Sequence, residues 1–342
     1  MRAIRTAMAA ALLVAVAATL PASADYLIKE VGSFHIGGRT ATLSGMPTRE
    51  VVFTPGSPTL KVDPNGEFEV EQMYVQFVKL AQPKAKVPIL FWHGGGLTGV
   101  TWETKPDGKP GWQQWFLNAG YDVYISDAVE RGRASWARYP EIFKSEPLFR
   151  TKKEAWELFR IGPSYEVGGQ RAMFEGEQFP TEAFDQFMKQ GVPRWVTNDG
   201  PTQAAYDELV QKVCPCIVVV HSQGGNFGFT AALNAPDKIK ALVAVEPSGA
   251  PDLSKVDVTK LKNVPHLIVW GDFHDKNAFW QRLVVVPTGY RDALVAAGVK
   301  ADVFALPAMG IKGNTHMMMM DRNSDDIARL ISDWLAKQGL MN

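Results

Sequence analysis

The chain is poor in cysteine and histidine and has no excess of charge of either sign. Two cysteines among 342 residues exclude a disulfide-stapled fold. They occur as Cys214-Pro215-Cys216, with no histidine cluster to complete a zinc site, so no metal is expected. Cysteines at i and i+2 in extended backbone are poorly placed for ring closure, and the pair reads as buried thiols capping a strand, with a small disulfide between them as the alternative. The 36 basic and 36 acidic side chains balance, which argues against nucleic acid as a partner. Beyond the amino terminus no apolar run approaches the roughly 18 uninterrupted residues that a membrane span needs. Internal repeats and long low-complexity segments are also missing.

The amino terminus has an export signature. Met1-Arg2-Ala3-Ile4-Arg5 is basic, Ala7 to Leu20 is apolar, and Ala22-Ser23-Ala24 offers a cleavage site before Asp25. Residues 1–24 therefore read as a signal peptide cleaved after Ala24, and the mature protein as secreted or periplasmic. Cleavage leaves 342 − 24 = 318 residues, ample for one large α/β domain spanning 25–342. Tyr26 to His35, Arg39 to Leu43 and Phe68 to Leu80 look like strands, with a turn at Asp63-Pro64-Asn65-Gly66. From Val87 onward strands alternate with helical patterns, as a mostly parallel sheet requires. The exception is a stretch of about 135–199, helical near Lys152 to Phe159 and Thr181 to Lys189 and crowded with aromatics. Most of these rings are expected to form a small core of their own, and, inserted above the carboxyl edge of the sheet, the segment is expected to form a cap with a few rings lining an apolar pocket. A satellite domain with its own small core is the blander alternative.

The most informative junction is Ile217-Val218-Val219-Val220 running into His221-Ser222-Gln223-Gly224-Gly225. A β-branched strand, a serine among small residues and a following helix have the layout of a nucleophile elbow, although Val220 stands where G-x-S-x-G has its first glycine. A serine hydroxyl needs a base, an orienting acid and oxyanion donors. Of the six histidines, His316 lies latest, in a loop after the strand-like Asp302 to Leu306, where the base should hang. Two strands compete to supply the acid. One ends at Glu246-Pro247 and the next delivers Asp272 and Asp275, and their chemistry alone does not separate them. The apolar strand Val87 to Trp92 breaks into His93-Gly94-Gly95-Gly96, a glycine loop whose amides can face an oxyanion. His93 is expected to brace that loop.

The same stretch, Gly94 to Gly99, also satisfies G-x-G-x-x-G after a strand, a dinucleotide fingerprint. The next strand-end acid, Asp127, lies 31 positions beyond Gly96, whereas a ribose-binding acid sits about 20 on. No cofactor is expected.

Several strings together resemble one branch of the α/β-hydrolases, secreted bacterial esterases with a Ser-Glu-His triad. They are Glu71-Gln72-Met73-Tyr74-Val75, His93 to Gly99, Thr101-Trp102-Glu103-Thr104, Pro106-Asp107-Gly108, Arg131-Gly132-Arg133, His221-Ser222-Gln223, Val245-Glu246-Pro247 and Asn314-Thr315-His316-Met317-Met318-Met319. The resemblance spans nearly the whole mature chain. It implies an α/β-hydrolase fold with an amino-terminal antiparallel β extension and a cap inserted before the nucleophile strand. It further implies Ser222 as nucleophile, Glu246 as acid, His316 as base, and the amides of Gly95 and Gln223 as oxyanion hole. A small-molecule ester is then the expected partner, and the chain is compatible with a homodimer. An amide or lactone could serve the same triad, and a non-catalytic binding protein on the same scaffold is the alternative of a different class.

Overall fold

The apolar runs become neighbours in one sheet. The computed structural model describes residues 26–342, so the expected signal peptide, residues 1–24, lies outside the described residues. Eight strands form the sheet: β1 (Ile28–Leu43), β2 (Gly66–Leu80), β3 (Ile89–Trp92), β4 (Val123–Asp127), β5 (Cys216–His221), β6 (Ile239–Val245), β7 (His266–Trp270) and β8 (Ala301–Ala305). Their spatial order is β1-β2-β4-β3-β5-β6-β7-β8. The pairs β1/β2 and β2/β4 are antiparallel, and every pair from β4/β3 to β7/β8 is parallel. The fold is thus a mostly parallel α/β sheet with an antiparallel extension at its amino-terminal edge, the α/β-hydrolase arrangement.

Strand periodicity divides the core. Ile217 and Val219 pack into one apolar cluster and Val218 and Val220 into another, because successive side chains leave opposite faces of a strand. All six residues of β5 are buried, as expected of a strand covered by helices on both sides. One face carries α1 (Trp112–Ala119) and α8 (Ser324–Lys337) through Trp112, Phe116, Ile331 and Leu335. The other carries α4 (Asp199–Val213), α5 (Gly224–Asn234) and α7 (Val285–Ala296) through Tyr206, Leu209, Phe229 and Leu294. Each fully buried large side chain of this kind contributes roughly 1.5–3 kcal/mol. No helix among the described residues is long and apolar enough to cross a membrane.

Three local expectations change. Cys214 and Cys216 are joined in a disulfide, not left as thiols. Their Cα atoms are 4.4 Å apart, within disulfide range, because the chain turns through Pro215 between the end of α4 and the start of β5 and is not extended there. The amino-terminal strand runs unbroken from Ile28 to Leu43. The segment 135–199 is less helical than expected of the cap: α2 (Lys152–Leu158) and α3 (Phe184–Met188) are short, and Ser164–Tyr165 pairs with Arg171–Ala172 in a small hairpin. Most of its aromatics are core. Trp156, Phe179, Phe184 and Phe187 join the cluster on the α1 and α8 face, while Phe143 and Trp195 pack with Ala41, Leu43 and Val70 of the β extension.

The sheet register decides what meets at its carboxyl edge. Trp92 pairs with Val220, and Val245 pairs with both His221 and Val269. Glycine loop, elbow and the chain after β6 therefore leave the sheet side by side. Val220, where an elbow strand would carry glycine, fits because the glycine lies across the contact: a Cβ on Gly228 of α5 would sit 2.7 Å from Val220 Cγ1. Gly228→Ala should therefore destabilise by about 1–2 kcal/mol, an overpacking cost partly offset by alanine's helix propensity. Adding Val220→Ala should recover most of that loss. Urea denaturation of the single and double variants checks this, and additive losses would refute the compensation.

Candidate active site

At the end of β5 the backbone turns so sharply that Ser222 adopts φ 52°, a left-handed conformation costing on the order of 1–2 kcal/mol for a non-glycine residue. Three hydrogen bonds hold it there. Ser222 N–H donates to Val245 O at 3.1 Å, and Ser222 O accepts from Gly225 N at 2.9 Å and Ser248 N at 3.0 Å. The serine stays half-buried at the sheet edge, with α5 starting two residues later.

The glycine loop arrives beside it. A Cβ on Gly94 would lie 2.9 Å from Ser222 Cβ and 2.8 Å from His221 Nδ1, so only glycine lets the loop come this close. His93 braces the loop as expected. Its Nδ1–H donates to Gly94 O at 2.8 Å, and its Nε2 accepts from Ala128 N at 3.0 Å. Burial foremost, then the Arg131 charge, holds it down to about 4, so the ring is neutral. The amides of Gly95 and Gln223 have no intramolecular acceptor among the described residues. Both residues line a cleft of about 350 Å³ together with Ser222 and His316. Asp127 is no ribose ligand: it accepts from Gly99 N at 2.7 Å and from Arg133 N and Nε at 2.9 and 2.7 Å, which ties the loop down.

His316 is fully enclosed. Its amide donates to Phe159 O and its carbonyl accepts from His221 Nε2, each at 2.9 Å. Phe159 and Trp280 pack on the ring at centroid distances of 5.4 and 4.5 Å. The preceding residues are fixed by buried Asp321, which accepts from Thr315 N and Oγ1 at 2.8 Å each and from Asn314 Nδ2 at 3.0 Å. Burial pushes the Asp321 carboxyl up to about 7. Burial likewise drives His316 down to about 4 against the opposing pull of Glu246.

Between the two acid candidates the geometry differs. Glu246, itself at φ 51°, has Oε2 3.2 Å from His316 Nδ1 and Oε1 2.6 Å from the donating Gly271 N. Asp272 instead accepts from Phe273 N at 2.8 Å and Gly313 N at 3.0 Å, bracing the loop that carries the histidine. Asp275 is exposed and pairs with Lys276 at 2.8 Å.

Two partners of Glu246, an arginine and a second histidine, escaped the sequence. Arg160 Nη2 lies 2.7 Å and His274 Nε2 3.3 Å from Oε2. Arg160 also donates from Nε to Asp272 O at 2.8 Å and stacks over Trp280 at 4.5 Å. Burial alone would raise the Glu246 carboxyl, but Arg160 first and then His274 outweigh it and hold it well below the usual range. Nothing near Arg160 in sequence signals this, since the contact exists only once the insertion folds onto the sheet. His221 is a further omission, visible only as the residue before the serine. Among the described residues no cluster of histidine, cysteine and carboxylate could hold a metal ion.

Comparison with known proteins agrees with the α/β-hydrolase fold. A family model described as "alpha/beta hydrolase fold" matches residues 215–280, from the elbow strand past Glu246. The solved structure of a novel bacterial esterase is 34% identical and superposes with a TM-score of 0.79, over 92% of this chain and 97% of that one. A probable secreted lipase, phiG, of a fungal species (strain ATCC 74256) is 29% identical over 332 residues, 80% of this chain and 88% of that protein.

The Arg160–Glu246 pair has 0% exposure on both side chains. Arg160→Met, which strands a buried carboxylate, should cost about 3–5 kcal/mol. Arg39→Met, which breaks the exposed 2.8 Å pair with Glu71, should cost under about 1 kcal/mol. Equal losses in urea denaturation would contradict a buried anion dependent on Arg160.

Proposed function

This chain belongs to the α/β-hydrolase family, and from that membership we propose that it is an exported serine esterase hydrolysing carboxylic esters through an acyl-enzyme on Ser222. The observation that carries the proposal is the single cleft holding Ser222 beside a buried imidazole, His316, whose Nδ1 is 3.2 Å from Glu246. The names of the bacterial esterase and the secreted lipase are consistent with that substrate class and with export. Residues 1–24 are then the signal peptide, and 135–199 the cap of a single domain.

In the proposed reaction Ser222 Oγ attacks the ester carbonyl while His316 Nε2 takes its proton. The ring is in the right tautomer for this because Nδ1–H is engaged by Glu246, whose charge also favours the imidazolium as it forms. The amides of Gly95 and Gln223 receive the developing oxyanion, a contribution worth roughly two to three orders of magnitude in rate for each donor. His316 then protonates the departing alcohol, and water repeats the sequence on the acyl-enzyme. From the cap, Leu158 and Phe159 line the cleft opposite the serine loop, with Phe279, Trp280 and Leu283 from α6 (Ala278–Leu283) and its end. That apolar wall suits the hydrocarbon part of an ester.

Ser222→Ala should abolish both ester hydrolysis and labelling by a fluorophosphonate. Residual hydrolysis above about a thousandth of wild type would be inconsistent with Ser222 as nucleophile. Glu246→Gln should lower kcat by about 10²–10⁴-fold, and Asp272→Asn by less than tenfold. The opposite ranking would move the acid to β7.

The pH profile follows from His316. A base must be neutral, and burial holds this ring down to about 4, so protonation silences it only well below the ordinary 6.5 of histidine. The acid limb of kcat/KM for a neutral ester should therefore have its midpoint near 4 to 5, measured where the protein remains folded. A midpoint of 6.5 would contradict a desolvated base.

A further inference from the structure

One wall of the cleft does not fit a purely apolar substrate. Arg150 and Arg194 both line it, and each has a buried Nε with no hydrogen-bond partner. Arg194 makes no ion pair among the described residues. Its position is nonetheless fixed: backbone hydrogen bonds with Leu148 at 2.8 and 2.9 Å anchor it, and Nη1 lies 3.3 Å from where a Cβ on Gly95 would sit. Its charge therefore stands against the proposed oxyanion loop. Arg150 reaches the same place with its guanidinium over Phe159 at 5.5 Å, while its Nη1 is held by Glu154. Both also border an adjoining hollow of about 190 Å³.

The nearby carboxylates do not neutralise Arg194. Asp199 also lines the cleft, but it is exposed and accepts from Gln223 Nε2 at 3.1 Å, and Glu130 is engaged by Arg131 at 2.8 Å. Burial foremost, then the Arg131 charge, lowers the affinity of Arg194 for its proton; Asp199 and Glu130 oppose this without outweighing it, and Arg150 adds to it. A partly desolvated, unpaired guanidinium is costly, and its planar fork matches a carboxylate in two parallel hydrogen bonds.

We propose that the cleft selects esters carrying a carboxylate a few bonds from the scissile carbonyl, with Arg194 as its principal partner and Arg150 beside it. This inference rests on the ester-hydrolase reading of the same cleft. The carboxylate would complete the fork of Arg194 and hold the carbonyl over Gly95, while the rest of the ester lies along the α6 wall. Arg194 is thus a specificity residue, bound to a part of the substrate that does not react.

Two anionic esters probe the two sides of the bond, monoethyl succinate (acyl side) and acetoxyacetate (alcohol side). Their neutral isosteres, with isopropyl in place of carboxylate, are ethyl 4-methylpentanoate and isobutyl acetate. The selectivity ratio of kcat/KM, anionic over isostere, should exceed about tenfold for at least one pair in the wild type. It should fall about 30-fold in Arg194→Met and less in Arg194→Lys, as expected for loss of hydrogen bonds to a charged group. Ratios near one for both pairs in the wild type would overturn the proposal. So would equal losses on anionic and neutral esters in Arg194→Met, because they would make Arg194 an oxyanion donor. Calorimetric binding of the two anionic esters to Ser222→Ala and to Ser222→Ala with Arg194→Met separates this proposal from the chemistry. Binding weakened about 30-fold by the second substitution, while the wild type hydrolyses none of the four esters, would keep the anion site and reject the esterase reading. Binding that is absent or indifferent to Arg194 would overturn the anion site whatever the turnover.

Discussion

A carboxylate with no exposed surface can stay ionised only where positive charge and hydrogen-bond donors are brought to it, and the charge on Glu246 is the constraint on which this site depends. Its Oε2 gathers Arg160, His274 and His316 at 2.7, 3.3 and 3.2 Å. These groups come from the insertion, the loop after β7 and the loop after β8, while Glu246 itself ends β6. One buried anion thereby ties together four segments remote in sequence, and the cap is fastened to the sheet at the proposed catalytic acid. The arrangement also has an electrostatic consequence for the base. Glu246 favours the imidazolium form of His316, whereas burial and the charges of Arg160 and His274 oppose it. Burial prevails, so the ring remains a neutral acceptor far into the acid range.

Backbone strain is concentrated in the same place. Among the described residues seven non-glycine residues have positive φ, and Arg160, Ser222, Glu246 and Phe273 are four of them. Three of these four belong to the constellation just described or to the serine it serves. Each such conformation costs on the order of 1–3 kcal/mol and survives only where the surroundings over-determine it. Here the surroundings are hydrogen bonds between adjacent strand ends, Ser222 N to Val245 O and Glu246 N to Val269 O at 3.1 and 2.9 Å. The parallel register holds the strained residues, and the strained residues point their side chains out of the sheet edge.

What was legible in the sequence was what is local. The β-branched run before Ser222, the three glycines after β3 and a histidine in the loop after β8 each carry their meaning within a few residues. A mostly parallel sheet with an antiparallel edge was legible from the alternation of strand and helix patterns after Val87, but the order of its strands was not. The choice between Glu246 and Asp272 was not local. Both follow neighbouring strands, and only the register that brings Val245 beside Val269 sets one carboxyl against His316 and the other against the amide of Gly313. Arg160 and Arg194 were illegible for the same reason, since their neighbours are 86 and 99 positions away at Glu246 and Gly95. The disulfide was misread because extended geometry was assumed across Pro215, where the chain turns. Of the cap aromatics, the sequence reveals their number and the expectation that most pack inward, but not that Phe159 is the one left at the cleft.

The central claim is that Glu246, kept ionised by Arg160, holds His316 as a neutral Nδ1–H tautomer. Proton NMR of the imidazole N–H region tests it most directly, because a proton held in a histidine–carboxylate hydrogen bond resonates far downfield and exchanges slowly. The account predicts one such resonance, present at neutral pH and persisting to near pH 4 to 5, retained in Asp272→Asn and lost in Glu246→Gln. A resonance that survives Glu246→Gln, or that disappears in Asp272→Asn while both proteins remain folded, would contradict it.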